Sequence, residues 1–278
     1  MTSISRRRFL RLAGATGLLG LLATYTLFVE RYIVLTNTYR VPVPNLPPAF
    51  NGFRVVQFAD PHFGFLMPLR VIENVVERIN RISRDVVVCT GDYVHERNST
   101  RQIDQVWPVV SRLTAPNGVY NVLGNHDHWA STQRSRYWLR RSGQDLEGKV
   151  VPIERNGERI WLAGGGDLWE DHRNLDSILE PIPEEDCRIV LAHNPDTADT
   201  EFRSRVDLMI CGHTHGGQVK IPVIGTPILP VKNKNYSSGL KRSPGGTPVY
   251  ISRGIGWAVL PVRFNCYPEI SVLELTPA

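Results

Sequence analysis

Gly118-Val119-Tyr120-Asn121-Val122-Leu123-Gly124-Asn125-His126-Asp127 is the stretch on which the fold turns. Residues 118–123 are a short, mostly apolar run bounded by glycines, which reads as a buried strand. The run then stops in Gly-Asn-His-Asp, four residues that a plain loop does not need. The same design recurs four times. Residues 53–58 lead into Asp60-Pro61-His62, and 85–89 into Gly91-Asp92. Residues 188–192 lead into His193-Asn194, and 207–211 into Gly212-His213-Thr214-His215. Ligands of open α/β sheets bind just beyond the carboxyl ends of strands, so five such ends can converge on one site.

Outward from these strands the pattern alternates. In 69–82, Leu69, Ile72, Val75, Val76, Ile79 and Ile82 recur at helical spacing, with Glu73, Glu77, Arg78 and Arg81 opposite. Weaker helical patterns cover 101–113, 131–142 and 195–204. Further strands are expected at 149–164, 217–224, 247–252 and 269–275, broken by Pro and Gly. Strands alternating with helices argue α/β, and the strand-rich second half argues a second or mixed sheet. Residues 53–278 read as one domain. Residues 32–52 carry Pro42, Pro44, Pro47 and Pro48, which predicts a stiff linker or an edge strand.

The polar residues fit a dinuclear metal centre. Asp60 and His62 lie two apart on a segment expected to be extended, which puts both on one side. The same holds for His213 and His215. Asp92 follows Gly91, which allows the backbone to turn closely beneath an ion. Oxygen and imidazole ligands without thiolate suit Mn, Fe or Zn rather than Cu(I).

The order of these blocks resembles the calcineurin-like metallophosphoesterase superfamily: Asp-x-His, Gly-Asp, Gly-Asn-His-Asp, His, then Gly-His-x-His. Leu191-Ala192-His193-Asn194-Pro195-Asp196, Gly216-Gly217-Gln218 and Pro268-Glu269-Ile270 are similar to its Tat-exported bacterial YkuE-like phosphodiesterase subgroup. Pro61, where that subgroup has Leu, removes no ligand. The resemblance implies a four-layer αββα sandwich of two mixed β-sheets flanked by helices. It implies two divalent transition-metal ions, Mn first, with Fe or Zn as alternatives. Asp60, His62 and His215 would bind one ion and Asn125, His193 and His213 the other, with Asp92 bridging. His126 would face the scissile phosphate, its ring oriented by Asp127. The implied activity is phosphohydrolysis, chiefly of phosphodiesters, by a metal-bridging hydroxide attacking phosphorus. A lipid-linked pyrophosphate hydrolase of the UDP-2,3-diacylglucosamine type is the alternative, favoured by any apolar groove near the metals. A catalytically inactive binding scaffold is a third possibility, against which the complete ligand set argues. The substrate is expected to be a phosphoester, with lipids and nucleotide-sugars among the candidates.

The net charge of +5 across 278 residues invites a nucleic-acid reading. Residues 1–31, however, hold five Arg against one Glu, while the rest carries 27 basic and 26 acidic residues. The near-neutral body weighs against nucleic acid as a partner. Four of the five excess charges lie in Ser5-Arg6-Arg7-Arg8-Phe9-Leu10-Arg11, ahead of the uncharged run Leu12–Val29. This segment resembles a twin-arginine (Tat) export signal with Arg11 in the final Lys position. Ala23-Thr24-Tyr25 fails as a small-x-small cleavage site, so the segment can also stay as an uncleaved membrane anchor. The expected partners are the Tat machinery and the membrane, and the expected location is the extracytoplasmic membrane face or periplasm.

Four Cys exclude a disulfide scaffold. Cys89 and Cys211 are expected in the core, while Cys187 and Cys266 are a pair that an oxidising compartment could bridge. His95, His128 and His172 read as surface or supporting residues. His128, Trp129 and Asn194 are secondary candidates for substrate contact. Arg253 and Arg263 read either as phosphate contacts or as surface salt bridges. Gly164-Gly165-Gly166 reads as a tight turn. Lys232-Asn233-Lys234 and Lys241-Arg242 read as solvated loops.

Overall fold

The computed structural model describes residues 5–278, and residues 1–4 of the expected leader lie outside the described residues. Helix α1, Arg6–Phe28, starts where the Ser5 side chain accepts the Arg8 N–H, and none of its residues is buried. At ~1.5 Å per residue its length is enough to cross a bilayer. A short 3-10 turn, Glu30–Tyr32, joins it to the domain.

Two mixed sheets follow. The first contains β1 (Leu35–Val43), β2 (Arg54–Phe58), β3 (Val86–Cys89), β4 (Val119–Asn121) and β11 (Glu269–Pro277). Its order is β1-β11-β2-β3-β4. Strand β1 pairs in parallel with β11 at the edge. An edge strand tolerates Pro42, whose missing N–H costs no ladder bond there. The Pro-bearing segment is therefore partly an edge strand rather than wholly a linker. The second sheet holds β5 (Val150–Arg155), β6 (Glu158–Gly166), β7 (Cys187–Ala192), β8 (Leu208–Cys211), β9 (Gly239–Arg242) and β10 (Pro248–Ile251), in the order β5-β6-β7-β8-β10-β9. β2, β3 and β4 run parallel, as do β6, β7, β8 and β10, so each sheet gathers several carboxyl ends at one rim.

Side-chain alternation builds the layers. Val55, Val86, Val88 and Leu273 of the first sheet meet Ile189, Leu191, Leu208 and Ile210 of the second in the central core. Val56, Phe58 and Val87 point the other way, beneath the helical layer of α2 (Leu69–Arg81), α3 (Thr100–Val110) and α4 (Asn125–Arg141). On the far side Ala163, Val190, Met209 and Val249 are covered by α5 (Leu175–Leu179) and by loop residues such as Leu229 and Tyr236. The fold is the expected four-layer sandwich, with a thin second helical layer.

Six expected features differ. Gly164-Gly165-Gly166 is no tight turn but the buried end of β6, with a register shift against β7. Lys241 and Arg242 lie in the edge strand β9 rather than in a loop. Residues 195–204 form only a 3-10 turn, Pro195–Asp199, whose start is capped by Asn194. Residues 217–224 are a loop: Gly217 and Gln218 hold positive φ, and Ile221 and Gly225 exchange hydrogen bonds across a turn. Residues 149–164 split into β5 and β6 at Asn156-Gly157, both at positive φ as a tight hairpin requires. The helix expected over 131–142 begins earlier, at Asn125, and bends at Ser131, where the backbone is extended.

Candidate metal centre

The polar strand ends converge at the rim shared by the two sheets. Parallel pairing of β2 with β3 carries on past the strands: the Asp60 N–H donates to the Gly91 carbonyl and the His62 N–H to that of Asp92. Glycine is needed where the loops cross. A Cβ on Gly124 would lie 2.3 Å from Asp92 Oδ1 and 2.7 Å from His193 Cε1. A Cβ on Gly91 would lie 2.3 Å from the Gly124 nitrogen.

The expectation that Asp60/His62 and His213/His215 share a face through extended backbone is not what occurs. Asp60, His62, Asp92, His213 and His215 all adopt left-handed backbone, with φ of 51°, 46°, 56°, 69° and 52°. That conformation is strained for non-glycine residues, and such strain concentrates at functional sites. Here each residue turns sharply out of its strand and its side chain enters one pit.

All seven expected ligands are buried in that pit. Donor atoms of Asp60, His62 and His215 lie close enough to share an ion, as do those of Asp92, His193 and His213. His62 Nε2 and His215 Nε2 are 3.0 Å apart, as are His193 Nε2 and His213 Nδ1, and Asn125 Oδ1 is 3.0 Å from His193 Nε2. Donors held ~2.1 Å from a cation at about right angles stand ~3.0 Å apart, so these spacings are those of atoms facing a shared ion. Asp92 Oδ2 is 3.3 Å from both His62 Nε2 and His193 Nε2, which places one carboxylate oxygen between the two groups. Asp60 Oδ2 is buried with no hydrogen-bond partner, an unfavourable state that a cation relieves. The donor set fits two divalent ions.

A supporting layer fixes ring orientation. His193 Nδ1 lies 2.7 Å from the Thr90 carbonyl and His213 Nε2 lies 3.1 Å from that of Pro230, which leaves the opposite nitrogens for the pit. The remaining carboxylate oxygens are also committed: Asp60 Oδ1 accepts the His213 N–H and Asp92 Oδ1 the His126 N–H. Arg263, fully buried, donates to the carbonyls of His215, Arg253 and Cys266. It is a backbone clamp, neither phosphate contact nor surface salt bridge. Arg253 pairs with Glu269 at 2.5 Å.

Electrostatics in the pit are dominated by burial. Burial pushes the Asp60 carboxyl up to about 7, against the pull of His193. Burial, then the neighbouring His126 ring, takes His62 down to about 3. Burial and His193 do the same to His213. These rings are neutral near pH 7 and present lone pairs. His193 goes the other way: burial lowers it, but Asp92 overrides this and raises it to about 10. Asp92 is held well below the usual carboxylate range, its burial outweighed by His193 and His126. One proton on His193 thus supplies part of the charge balance that a cation supplies.

The expected contact between Asp127 and the His126 ring does not form. The Asp127 carboxylate accepts three backbone N–H groups, from Asp92 (2.8 Å), Tyr93 (2.9 Å) and Gly124 (2.9 Å). It ties the Gly-Asp loop to the start of α4. The His126 ring is held instead by the His95 carbonyl, 2.8 Å from Nδ1. His95 is thus more than an ordinary surface histidine, and no motif marks it because its backbone makes the contact. Around the mouth, Trp129 lies against His126 with centroids 4.8 Å apart, and Trp169 lies against His213 at 4.7 Å. His128 joins Asp171 at 3.2 Å, in a network with Glu147, Arg136 and Arg173 whose acids are already neutralised by arginine. The four cysteines are free and buried; Cys89 and Cys211 pack in cores as expected, and Cys187 and Cys266 do not bridge.

The family profile described as calcineurin-like phosphoesterase matches residues 53–217. Over 99% of both chains the protein is 31% identical to the uncharacterized metallophosphoesterase YkuE of Bacillus subtilis. It is 31% identical to phosphodiesterase YaeI of Escherichia coli over 98% of this chain and 99% of that one. A transmembrane protein with metallophosphoesterase domain from Danio rerio is 30% identical over 86% of this chain and 56% of its own. Among solved structures, the NAD nucleotidase of Haemophilus influenzae superposes with a TM-score of 0.45 at 14% identity, over 74% of this chain and 45% of that one.

Proposed function

Since the chain belongs to the calcineurin-like phosphoesterase family and is a metallophosphoesterase, a hydrolase of phosphoric esters, we propose that it is a dinuclear phosphodiesterase held at a membrane. The observation that carries this reading is Asp92 Oδ2, 3.3 Å from a histidine of each ligand group. Asp60, His62 and His215 would hold one ion and Asn125, His193 and His213 the other, Mn being the first candidate. Bound ions supply an activated water near neutral pH and neutralise charge developing on the phosphoryl group. The chain's own residues do the rest. His126, with Nδ1 committed to the His95 carbonyl, keeps Nε2 for the phosphoryl oxygens and for protonating the leaving alkoxide. Asp127 holds the two loops that carry Asp92 and His126 at fixed separation. The rings of Trp129 and Trp169 wall the mouth.

Arg6–Arg11 and the exposed apolar α1 support export by the Tat route and retention as an anchor, with the catalytic domain outside the cytoplasm. A lipid-linked phosphoester is the second reading. It is favoured by a largely apolar cavity of about 340 Å³ that has His215 in its wall and is lined by Val219, Pro227, Ile228, Leu260 and Val262. The test is a substrate panel with Mn-, Fe- and Zn-loaded full-length protein, comprising aryl mono- and diesters, nucleotide-sugars and phospholipids, alongside metal analysis. About two ions per chain and diester hydrolysis support the reading. Absence of both leaves the inactive scaffold.

A further inference from the structure

The chain exposes large apolar residues on two loops that flank the catalytic rim. Val223 and Ile224 sit at the tip of the 219–225 turn, and Ile228 follows, the last two 72% and 78% exposed. Val259 and Leu260 sit on the 257–262 loop at 86% and 61%. The loops are neighbours: Val219 bridges to Phe264, and the Lys220 N–H donates to the Phe264 carbonyl. Val223 and Val259 both hold positive φ, at 70° and 59°. Glycine or asparagine takes that conformation readily and a β-branched residue does not. An apolar group is thus displayed in water at a conformational cost, and twice.

The same edge receives the end of α1. The Arg263 N–H donates to the Thr26 carbonyl, within the last turn of the helix, and Arg31 donates to the Pro261 carbonyl. Tyr25 and Tyr267 share a hydrogen bond of 2.8 Å, and Tyr32 packs edge-on against Trp257. Trp257 is buried in the domain, but Tyr25, Tyr32 and Tyr267 are partly exposed, and tyrosines at the end of an apolar helix mark the headgroup level of a bilayer. The 257–262 loop therefore stands at that level whenever α1 lies in the membrane.

We propose that the 219–228 and 257–262 loops insert into the outer surface of the same bilayer, with Val223, Ile224, Val259 and Leu260 among the acyl chains. Lys220, exposed at the base of the turn, lies at headgroup height. This inference rests on reading α1 as an anchor, and it adds a second, non-helical attachment. Insertion seats the metal pit at the lipid surface, with its rim and the cavity beside His215 open to lipid rather than to bulk water.

The test uses full-length protein in phospholipid nanodiscs. The four native cysteines are buried, so single introduced cysteines take a spin label selectively. Ile224→Cys and Val259→Cys report on the loops, Leu18→Cys on the helix, and Glu154→Cys on a water-facing edge. Docking predicts that labels at 224 and 259, like that at 18, lose access to a polar nickel chelate and gain access to oxygen relative to 154. Water-like access at 224 and 259 with lipid-like access at 18 overturns the docking and leaves the anchor standing. Water-like access at 18 overturns the anchor alone, and the loop labels then decide docking by themselves. A Val223→Lys/Ile224→Lys variant with unchanged melting temperature provides a second arm. Its signal at 259 must move toward water if the loops insert together; an unmoved signal counts against joint insertion.

Discussion

Two regions on one rim invert the usual partition of residues, in opposite senses. In the metal pit, carboxylates and imidazoles are buried: Asp60, Asp92, His193 and His215 are almost wholly removed from water. A few residues away, Val223, Ile224, Val259 and Leu260 stand in water. Both regions also carry backbone strain, with left-handed non-glycine residues in each. The lesson is that neither is complete as a chain alone. Cations would complete the buried cluster of lone pairs, and the acyl chains of the proposed docking would cover the displayed apolar edge. Their adjacency is what the proposed cleavage of phosphoesters at a membrane would use.

The contrast breaks most visibly at Asp92. Asp92→Asn removes the charge set between the two ligand groups, and we expect diester turnover to fall by ~10³-fold or more with loss of metal; retained turnover and two bound ions would refute the bridging role. Asp127→Ala comes next. It strips the acceptor from three buried N–H groups, which we expect to cost roughly 3 kcal/mol of stability, read as the shift in denaturant midpoint. A ring-orienting role would instead lower turnover with an unchanged midpoint. His126→Ala should lower turnover by about 10²-fold with metal content intact, because His126 is not among the ligands.

The pit also predicts a pH effect. His193, raised to about 10 beside Asp92, carries a proton at neutral pH in the metal-free protein. An ion needs that nitrogen unprotonated, so binding expels the proton and affinity should rise by up to ~10-fold per pH unit between pH 7 and 9. Titration of the metal-free protein at several pH values measures it, and a flat profile would place the proton elsewhere. The smallest effect belongs to the other region. Val223→Lys/Ile224→Lys should leave hydrolysis of a soluble aryl diester within about twofold, since surface changes away from packed features are nearly neutral. A large loss on that substrate would mean the two regions are coupled inside the fold rather than through lipid.

Much of this architecture is legible in the residues themselves. Apolar runs of four to six residues ending in Asp, Asn or His locate β2, β3, β7 and β8 to within a residue or two. The helical spacing of Ile72, Val75, Val76 and Ile79 places α2, and those four residues are its buried face. Elements without a strong period are harder to read. Residues 217–224 are apolar enough for a strand, yet Gly217 and Gln218, both at positive φ, turn the chain away from any sheet edge. The motif marks Asp127 but points to the wrong neighbour, because the three N–H groups it accepts include two more than thirty residues distant.

Residue type and order alone determined the chemistry: which donor atoms exist, in what sequence, and that a near-neutral body follows a basic, apolar N-terminal segment. Those are properties of residue type and short-range spacing, where local physics suffices. The tertiary structure alone decided which atoms face one another. It set left-handed turns where extended backbone was expected, gave the His126 ring to the His95 carbonyl, and buried Arg263 as a clamp on His215. It also brought the end of α1 against Arg263 and Tyr267, with Arg31 just beyond it on the Pro261 carbonyl, at the foot of the loop that carries Val259 and Leu260. Such contacts join segments tens to hundreds of residues apart. Their partners are chosen by sheet order and packing, which no window along the chain contains.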